Sequence, residues 1–396
     1  MPKVTLPALP LSALFAIAKP SGPGSMTVVE LIKPLLSSSK LFATDDEGAA
    51  TSKIKKGKGK NWRGGRAKSG VKIGTGGTLD PLADGVLVLG VNEGTKKLGG
   101  FLECTKEYRT TCLLGAETDS YDSDGAVSRV APFSHVTRSS VEDALAKFRG
   151  EILQVPPLFS ALKMNGMPLY EYARKGIPLP RPIEARKTTV HSLTLEKWIE
   201  ASDHSFTNPE KRLTKEEREK ARTAFVGAQI ALPADAAAGE AKSEDVEPVS
   251  EPKAKEEVDE DDFLKQRAPA FVLRMEVSGG TYIRSIVHDV CRSIGSAGHV
   301  VTLTRTKQGA YVLGEPSAPS ESTAGPSSAP ATTSAAAEPQ SQEDTFSAVP
   351  WDVVESAAKK LKAGTLDEEA RDADGWLAWE RAVLSGLGVA ETRKRT

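Results

Sequence analysis

Two kinds of hydrophobic spacing alternate along the chain. From Tyr108 to Leu114 every second residue (Tyr108, Thr110, Cys112, Leu114) falls on one face, the period of a half-buried strand. Phe271, Leu273, Met275 and Val277 alternate with Val272, Arg274 and Glu276 and predict a second strand. After Gly279-Gly280 the period changes, and Ile283, Ile286, Val287, Val290 and Ile294 line one side of a helix closed by Gly295. Val301 and Leu303 then open another strand, and VLVLGV over 86–91 reads as a buried one. Thr27-x-x-Glu30 is a capping-box signature that predicts a helix after Lys19-Pro20. Ser140-x-x-Asp143 predicts another, with Val141, Ala144, Leu145 and Phe148 at helical spacing and Gly150 at its end. Pro168 to Gly176 is a short helix with Pro at its start and Gly past its end. Trp351 to Leu361 and Trp376 to Leu384 are amphipathic candidates. The apolar stretch from Leu6 to Ala18 imitates a secretory leader, but Pro7 and Pro10 interrupt it, and it reads as the first strand. Strands and helices alternate irregularly, which predicts an α+β fold rather than a doubly wound sheet.

Composition changes this picture in three places. The chain has 396 residues, 39% apolar and 27% charged, enough for a sizeable core, and no apolar run reaches the ~20 residues of a membrane-spanning helix. A membrane protein is therefore excluded. The three cysteines (Cys104, Cys112, Cys291) form no CxxC pair and read as reduced thiols, and the five histidines show no ligand spacing, so no metal is expected. The net charge of −1 hides an asymmetry. Residues 243–262 carry a net −8 and residues 315–345 five acids with no base, so the remainder is +12. A basic body with acidic inserts fits a polyanionic partner.

Four stretches read as insertions or linkers. Residues 41–69 turn strongly basic from Lys53 to Lys68, the composition of a solvated tail or of a nucleic-acid or nuclear-import patch. Residues 200–265 run from a charged helical stretch (Glu210 to Arg222) into Ala, Glu and Asp repetition. Residues 315–345 are Ser, Ala, Pro and Thr without aromatic, Leu, Ile or Val, too apolar-poor to order themselves. The expected division is a core of 1–40, 70–199 and 266–314, a basic insertion at 41–69 and a largely disordered one at 200–265. A linker at 315–345 and a small helical segment at 346–396 complete it.

The candidate chemistry lies in a few motifs. GTGGTLDPLADG over 74–85 meets neither the P-loop nor the Rossmann spacing; it is either a glycine-rich turn or a loop that holds the carboxylate of Asp80 where a ligand can approach closely. Asp119-x-x-Asp122-x-Asp124-Gly125 resembles a calcium loop, yet the alignment puts Ser120 at the first ligand position and Ala131 at the last, so it reads as a polar turn. Between Gln154 and Lys187, aromatics interleaved with Lys and Arg suit either a base-stacking, phosphate-binding surface or an amphipathic surface hairpin. Arg284 sits beside the apolar face of its helix, where an Arg needs a carboxylate partner or a path to solvent.

Read in order, these blocks resemble the TruB-type pseudouridine synthases, in particular the fungal enzymes acting on the T-loop of tRNA. The resemblance is carried by AKPSG over 18–22, GGTLDPLADGVLVLGV with Gly94-Thr95-Lys96 after it, Lys106-Glu107-Tyr108-Arg109, Gly115 to Gly125, Gln154 to Arg186, and GTYIR over 280–284 through to Leu303. It implies a catalytic core with a mixed, mostly antiparallel sheet flanked by helices. It also implies isomerisation of the uridine at position 55 of tRNA, with no cofactor, no guide RNA and a monomeric enzyme. A single carboxylate suffices because no water has to be activated, unlike the two of glycoside hydrolases. The resemblance makes Asp80 catalytic, stacks Tyr108 on the target base, and pairs Arg284 with Asp80. Tyr282 and Leu303 shape the pocket, and residues 154–182, Lys163 among them, grip the T-arm. Thr75 stands where bacterial members commonly carry His, and no C-terminal RNA-binding PUA domain is recognisable after Leu313. The rival expectations are a non-catalytic RNA-binding protein of the same fold and a guide-RNA-dependent synthase of the dyskerin type. An intracellular enzyme of nucleus or cytoplasm, with mitochondrial action open, is the expected setting.

Overall fold

The computed structural model describes residues 9–43, 70–218, 260–314 and 345–387. The basic run 53–68, the acidic 243–259 stretch and nearly all of the 315–345 segment lie outside the described residues. The described chain falls into two compact units, one of residues 1–104 and 305–396, the other of residues 105–304.

The first unit opens with β1 (Ala13–Lys19), α1 (Ser25–Ser38), β2 (Ile73–Thr75), β3 (Asp84–Val91) and α2 (Leu98–Glu103). β1 and β3 pair antiparallel from Ala13↔Val91 to Lys19↔Gly85, and nearly every side chain of both is buried, which is why their sequences are apolar without alternation. Leu41 and Phe42, which follow α1, are buried too. The α1 helix starts two residues before the expected Thr27 cap. Gly24 takes the N-cap position, and Ser25 spends its hydroxyl on the backbone of Leu79 instead of on a helix amide.

The second unit runs β4 (Lys106–Leu114), β5 (Ala116–Thr118), β6 (Val127–Val130), α3 (Arg138–Leu145), β7 (Gly150–Gln154), β8 (Lys163–Met164), β9 (Met167–Pro168), α4 (Leu169–Lys175), β10 (Arg186–Ile199), α5 (Glu260–Lys265), β11 (Ala270–Val277), α6 (Ile283–Ser293) and most of β12 (Gly298–Gln308). Its sheet has the order β12-β4-β11-β10-β7, and its β4–β11, β11–β10 and β10–β7 pairs are antiparallel. β5 and β6 form a separate hairpin. The cap of α3 lies three residues earlier than the spacing suggested. Thr137 is the N-cap, and Ser140 is its reciprocal partner in the box.

The chain then returns to the first unit through the end of β12, β13 (Tyr311–Val312), β14 (Phe346–Ser347), α7 (Trp351–Ala363) and α8 (Ala378–Ser385). β14 pairs parallel with β13, and Val349 exchanges backbone bonds of 2.8 Å each with Ala16 and Ala18 at the edge of β1. The fold class is α+β, as expected.

Gly85, at the entry to β3, has φ +100°, and a Cβ there would overlap the backbone of Arg305. Gly85→Ala should therefore cost about 2–4 kcal/mol of unfolding free energy in urea titrations. A loss below about 0.5 kcal/mol would contradict this packing.

Candidate active site

Asp80 sits on the loop between β2 and β3, partly buried, and several of the carbonyl oxygens there accept hydrogen bonds from other stretches of the chain. Gln308 Nε2 donates to the Gly76 carbonyl, Arg305 to those of Thr78 (3.4 Å) and Val86 (2.7 Å), and Ser25 to that of Leu79 (3.0 Å). The Gly22 amide donates to Pro81 (2.8 Å), Ser21 Oγ to Leu82 (2.7 Å), and Lys19 Nζ to Ala83 (2.6 Å). Buried carbonyls left without donors cost roughly 1–3 kcal/mol each, so the captured conformation strongly outweighs alternatives. The AKPSG motif is the lower half of this cradle. Its Lys19, Ser21 and Gly22 all donate into residues 81–83.

Lys19 is almost wholly buried. Burial pulls its pKa from 10.5 down to about 8; the charges of Asp84 and Asp80 oppose the shift and Arg305 adds to it. At neutral pH the ammonium is still charged and keeps its three donors.

In the second unit Arg284 lies in the first turn of α6, and one of its partners is Asp122 at 3.0 Å, with side chains only 4% and 5% exposed. Its guanidinium also donates to the carbonyls of Ser120 and Phe159, the latter at 2.8 Å. Asp122 is itself oriented, since its Oδ1 accepts from Ser120 Oγ (2.6 Å) and the Asp124 amide (3.2 Å). The polar turn read at 119–125 thus carries a buried carboxylate that the residue pattern did not single out. The signal available was the requirement of a half-apolar Arg for an acid.

The expected site residues divide between the two units, Asp80 in the first and the other five in the second. Tyr108 on β4 and Leu303 on β12 are buried, 7% and 6% exposed. Tyr282 caps α6, and its backbone exchanges two bonds with the side chain of Gln154, at 2.8 and 3.0 Å. The Gln154 and Phe159 contacts bring Tyr282, Arg284 and the 154–160 loop together. Lys163 is exposed on the small β8–β9 hairpin, next to the apolar cluster of Met164, Leu169, Tyr172 and Ile183 that holds this arm together. Among the described residues no group of three or more His, Cys, Asp or Glu could hold a metal ion, and no helix is long and apolar enough to cross a membrane. The three cysteines are unpaired by disulfides.

Residues 66–208 match the TruB family pseudouridylate synthase (N terminal domain). The chain is 36% identical over 335 residues to tRNA pseudouridine synthase 4 of Schizosaccharomyces pombe, covering 76% of this chain and 79% of that protein. It is 35% identical to tRNA pseudouridine synthase 4 of Saccharomyces cerevisiae, covering 75% and 77% respectively. A solved structure, a Cbf5-Nop10-Gar1 complex, aligns at 20% identity with a TM-score of 0.37, over 75% of this chain and 49% of the other. This chain spans about half the length of that one. At these identities and shares of length, the chain belongs to the TruB family of pseudouridylate synthases.

Two outcomes check the site. The unfolded chain holds the Lys19 proton more tightly than the folded one, so this group makes stability rise as pH climbs from about 8 to 10.5. Lys19→Met should remove about 1–3 kcal/mol of that rise, measured by urea unfolding at pH values of about 7.5 and 10. Arg284→Met strands the Asp122 carboxylate and should cost about 3–5 kcal/mol, partly recovered by adding Asp122→Asn. Equal stability of the single and double variants would show that Asp122 does not depend on the guanidinium.

Proposed function

We propose that this chain is a stand-alone tRNA pseudouridine synthase, monomeric and guide-independent, that isomerises the T-loop uridine at position 55 of tRNA. The reaction breaks the bond between C1′ and N1, turns the base and joins C1′ to C5; no atom is gained or lost, and no electron carrier is required. The observation that carries the reading is Asp80, a carboxylate on a loop whose carbonyls are captured on every side, in a family member whose relatives are named for this activity on tRNA. Preorganisation of that kind lets the carboxylate meet the sugar without a rearrangement of its own.

In this reading Asp80 is the catalytic carboxylate and Arg284 the cation that pairs with it. Tyr108 stacks on the extruded base, Tyr282 and Leu303 shape its pocket, and Lys163 with the 154–182 arm contacts the T-arm. Extruding a base costs a few kcal/mol, and stacking on an aromatic ring returns roughly 1–3. The expected division into a discontinuous core with insertions at 41–69 and 200–265 belongs to the same reading, as does an intracellular setting where tRNA is the polyanion met by the basic body.

Asp80→Ala should abolish pseudouridine formation on an unmodified tRNA transcript, read by mapping the modified position, while filter-binding affinity for the transcript stays within about threefold. Wild-type turnover in that variant would overturn the mechanism. A requirement for added guide RNA in the unsubstituted protein would overturn its independence.

A further inference from the structure

Arg284, His288 and Arg292 follow one another at i, i+4 and i+8 on α6, and all three meet the β5–β6 hairpin. Arg292 grips Glu117 of β5 through Nε (3.1 Å) and a terminal nitrogen (2.6 Å), and Arg129 of β6 approaches the same carboxylate at 3.1 Å. His288, between the two arginines, has a carboxylate at each ring nitrogen: Glu117 lies 3.4 Å from Nε2 and Asp289 3.0 Å from Nδ1. Its ring stacks on Tyr121, centroids 4.0 Å apart and planes 23° from parallel.

Tyr121 is the unusual residue of the hairpin turn. Its φ is +65°, a left-handed backbone that a bulky L-residue adopts only where its surroundings hold it there. The stack on His288 supplies one restraint, and the Val300 amide bonded to the Tyr121 carbonyl at 3.0 Å supplies another. The residues on either side of Tyr121 are the two that the turn offers to Arg284: the Ser120 carbonyl and the Asp122 carboxylate.

We infer that His288 is a positioning residue for the isomerisation: clamped by Glu117 and Asp289, it holds Tyr121 in its strained conformation and so fixes Ser120 and Asp122 on Arg284. The inference rests on the functional reading above, which gives Arg284 its place in the reaction. His288 itself does not touch the substrate in this account.

Single-turnover assays with enzyme in excess of a tRNA transcript read the chemical step of the folded fraction and not its amount. His288→Leu, which loses the flat ring and both nitrogens, should lower the maximal rate constant about tenfold. The half-saturating enzyme concentration should stay within about twofold, because no RNA contact is removed. His288→Phe keeps a ring for Tyr121 and should recover some of the rate, also serving where the Leu variant fails to fold. Asp122→Asn combined with His288→Phe should be no slower than Asp122→Asn alone, since both act through the same turn. Wild-type rate constants in the His288 variants, or losses that multiply in the double variant, overturn the inference. Asp80→Ala run in parallel separates the two failures. An inactive Asp80 variant beside fully active His288 variants sinks only the positioning role, whereas an active Asp80 variant sinks the functional reading.

Discussion

A lysine ammonium buried beneath a loop, donating to that loop's carbonyls, is the interaction on which the first unit's site depends. Desolvation works against the charge strongly enough to pull its pKa to about 8, so the position is held at a cost in stability. What the charge supplies is direction. Beyond one backbone bond from the Gly76 amide to Val88 of β3 (2.9 Å), the 76–83 loop lacks regular pairing, and such loops ordinarily sample several conformations. Here Lys19, Ser21, Ser25, Arg305 and Gln308 convert its carbonyls into fixed anchor points along the backbone that carries Asp80. Gly85 completes the arrangement by letting the Arg305 backbone come within van der Waals overlap of any Cβ.

The second unit solves a related problem with ion pairs in place of carbonyls. An Arg buried on an apolar helix must have an acid near it, and Asp122 is one such acid. Glu117 has the corresponding role further down the helix, where three cationic side chains keep its carboxyl well below the usual range despite burial. Burial lowers the His288 pKa, but the hydrogen bonds of Asp289 and Glu117 outweigh it and raise the value overall, while Arg284 and Arg292 on either side of it pair with Asp122 and Glu117 of the hairpin. Such a seam resists sliding, because a shift of one residue would part the buried Arg284–Asp122 pair and take Arg292 from the buried Glu117.

The strands and α6 were legible because apolar periodicity is a property of adjacent residues, and tertiary packing had only to accept it. β3 and β11 fall where the alternation and the apolar run placed them. The caps were displaced for a reason local sequence does not contain. Ser25 has a tertiary partner in Leu79, and Ser140 answers Thr137, so the residue that looked like the cap was not the one at the helix start. Asp122 was hidden for a related cause. A carboxylate in a turn of Asp, Ser and Gly is ordinarily solvated, and only the fold brings Arg284 to it from 162 positions further along. Asp80 was legible as a motif, whereas the donors that hold its loop come from several separate stretches of chain.

Contacts join the described residues that flank 44–69, 219–259 and 315–344. Asn92, with φ +54°, donates from its side chain to the Phe42 carbonyl (3.0 Å) and from its backbone to that of Lys72 (2.8 Å), tying together the chain on either side of 44–69. Arg218 and Glu260 form a two-bond ion pair at 2.7 Å each across the ends of 219–259. β13 and β14 pair directly across 315–344, and Ser347 bonds the Gly314 carbonyl. In each case the described residues on the two sides of the stretch are bonded to one another. The register of β1, β3, β13 and β14 is thus set by residues on either side of these stretches.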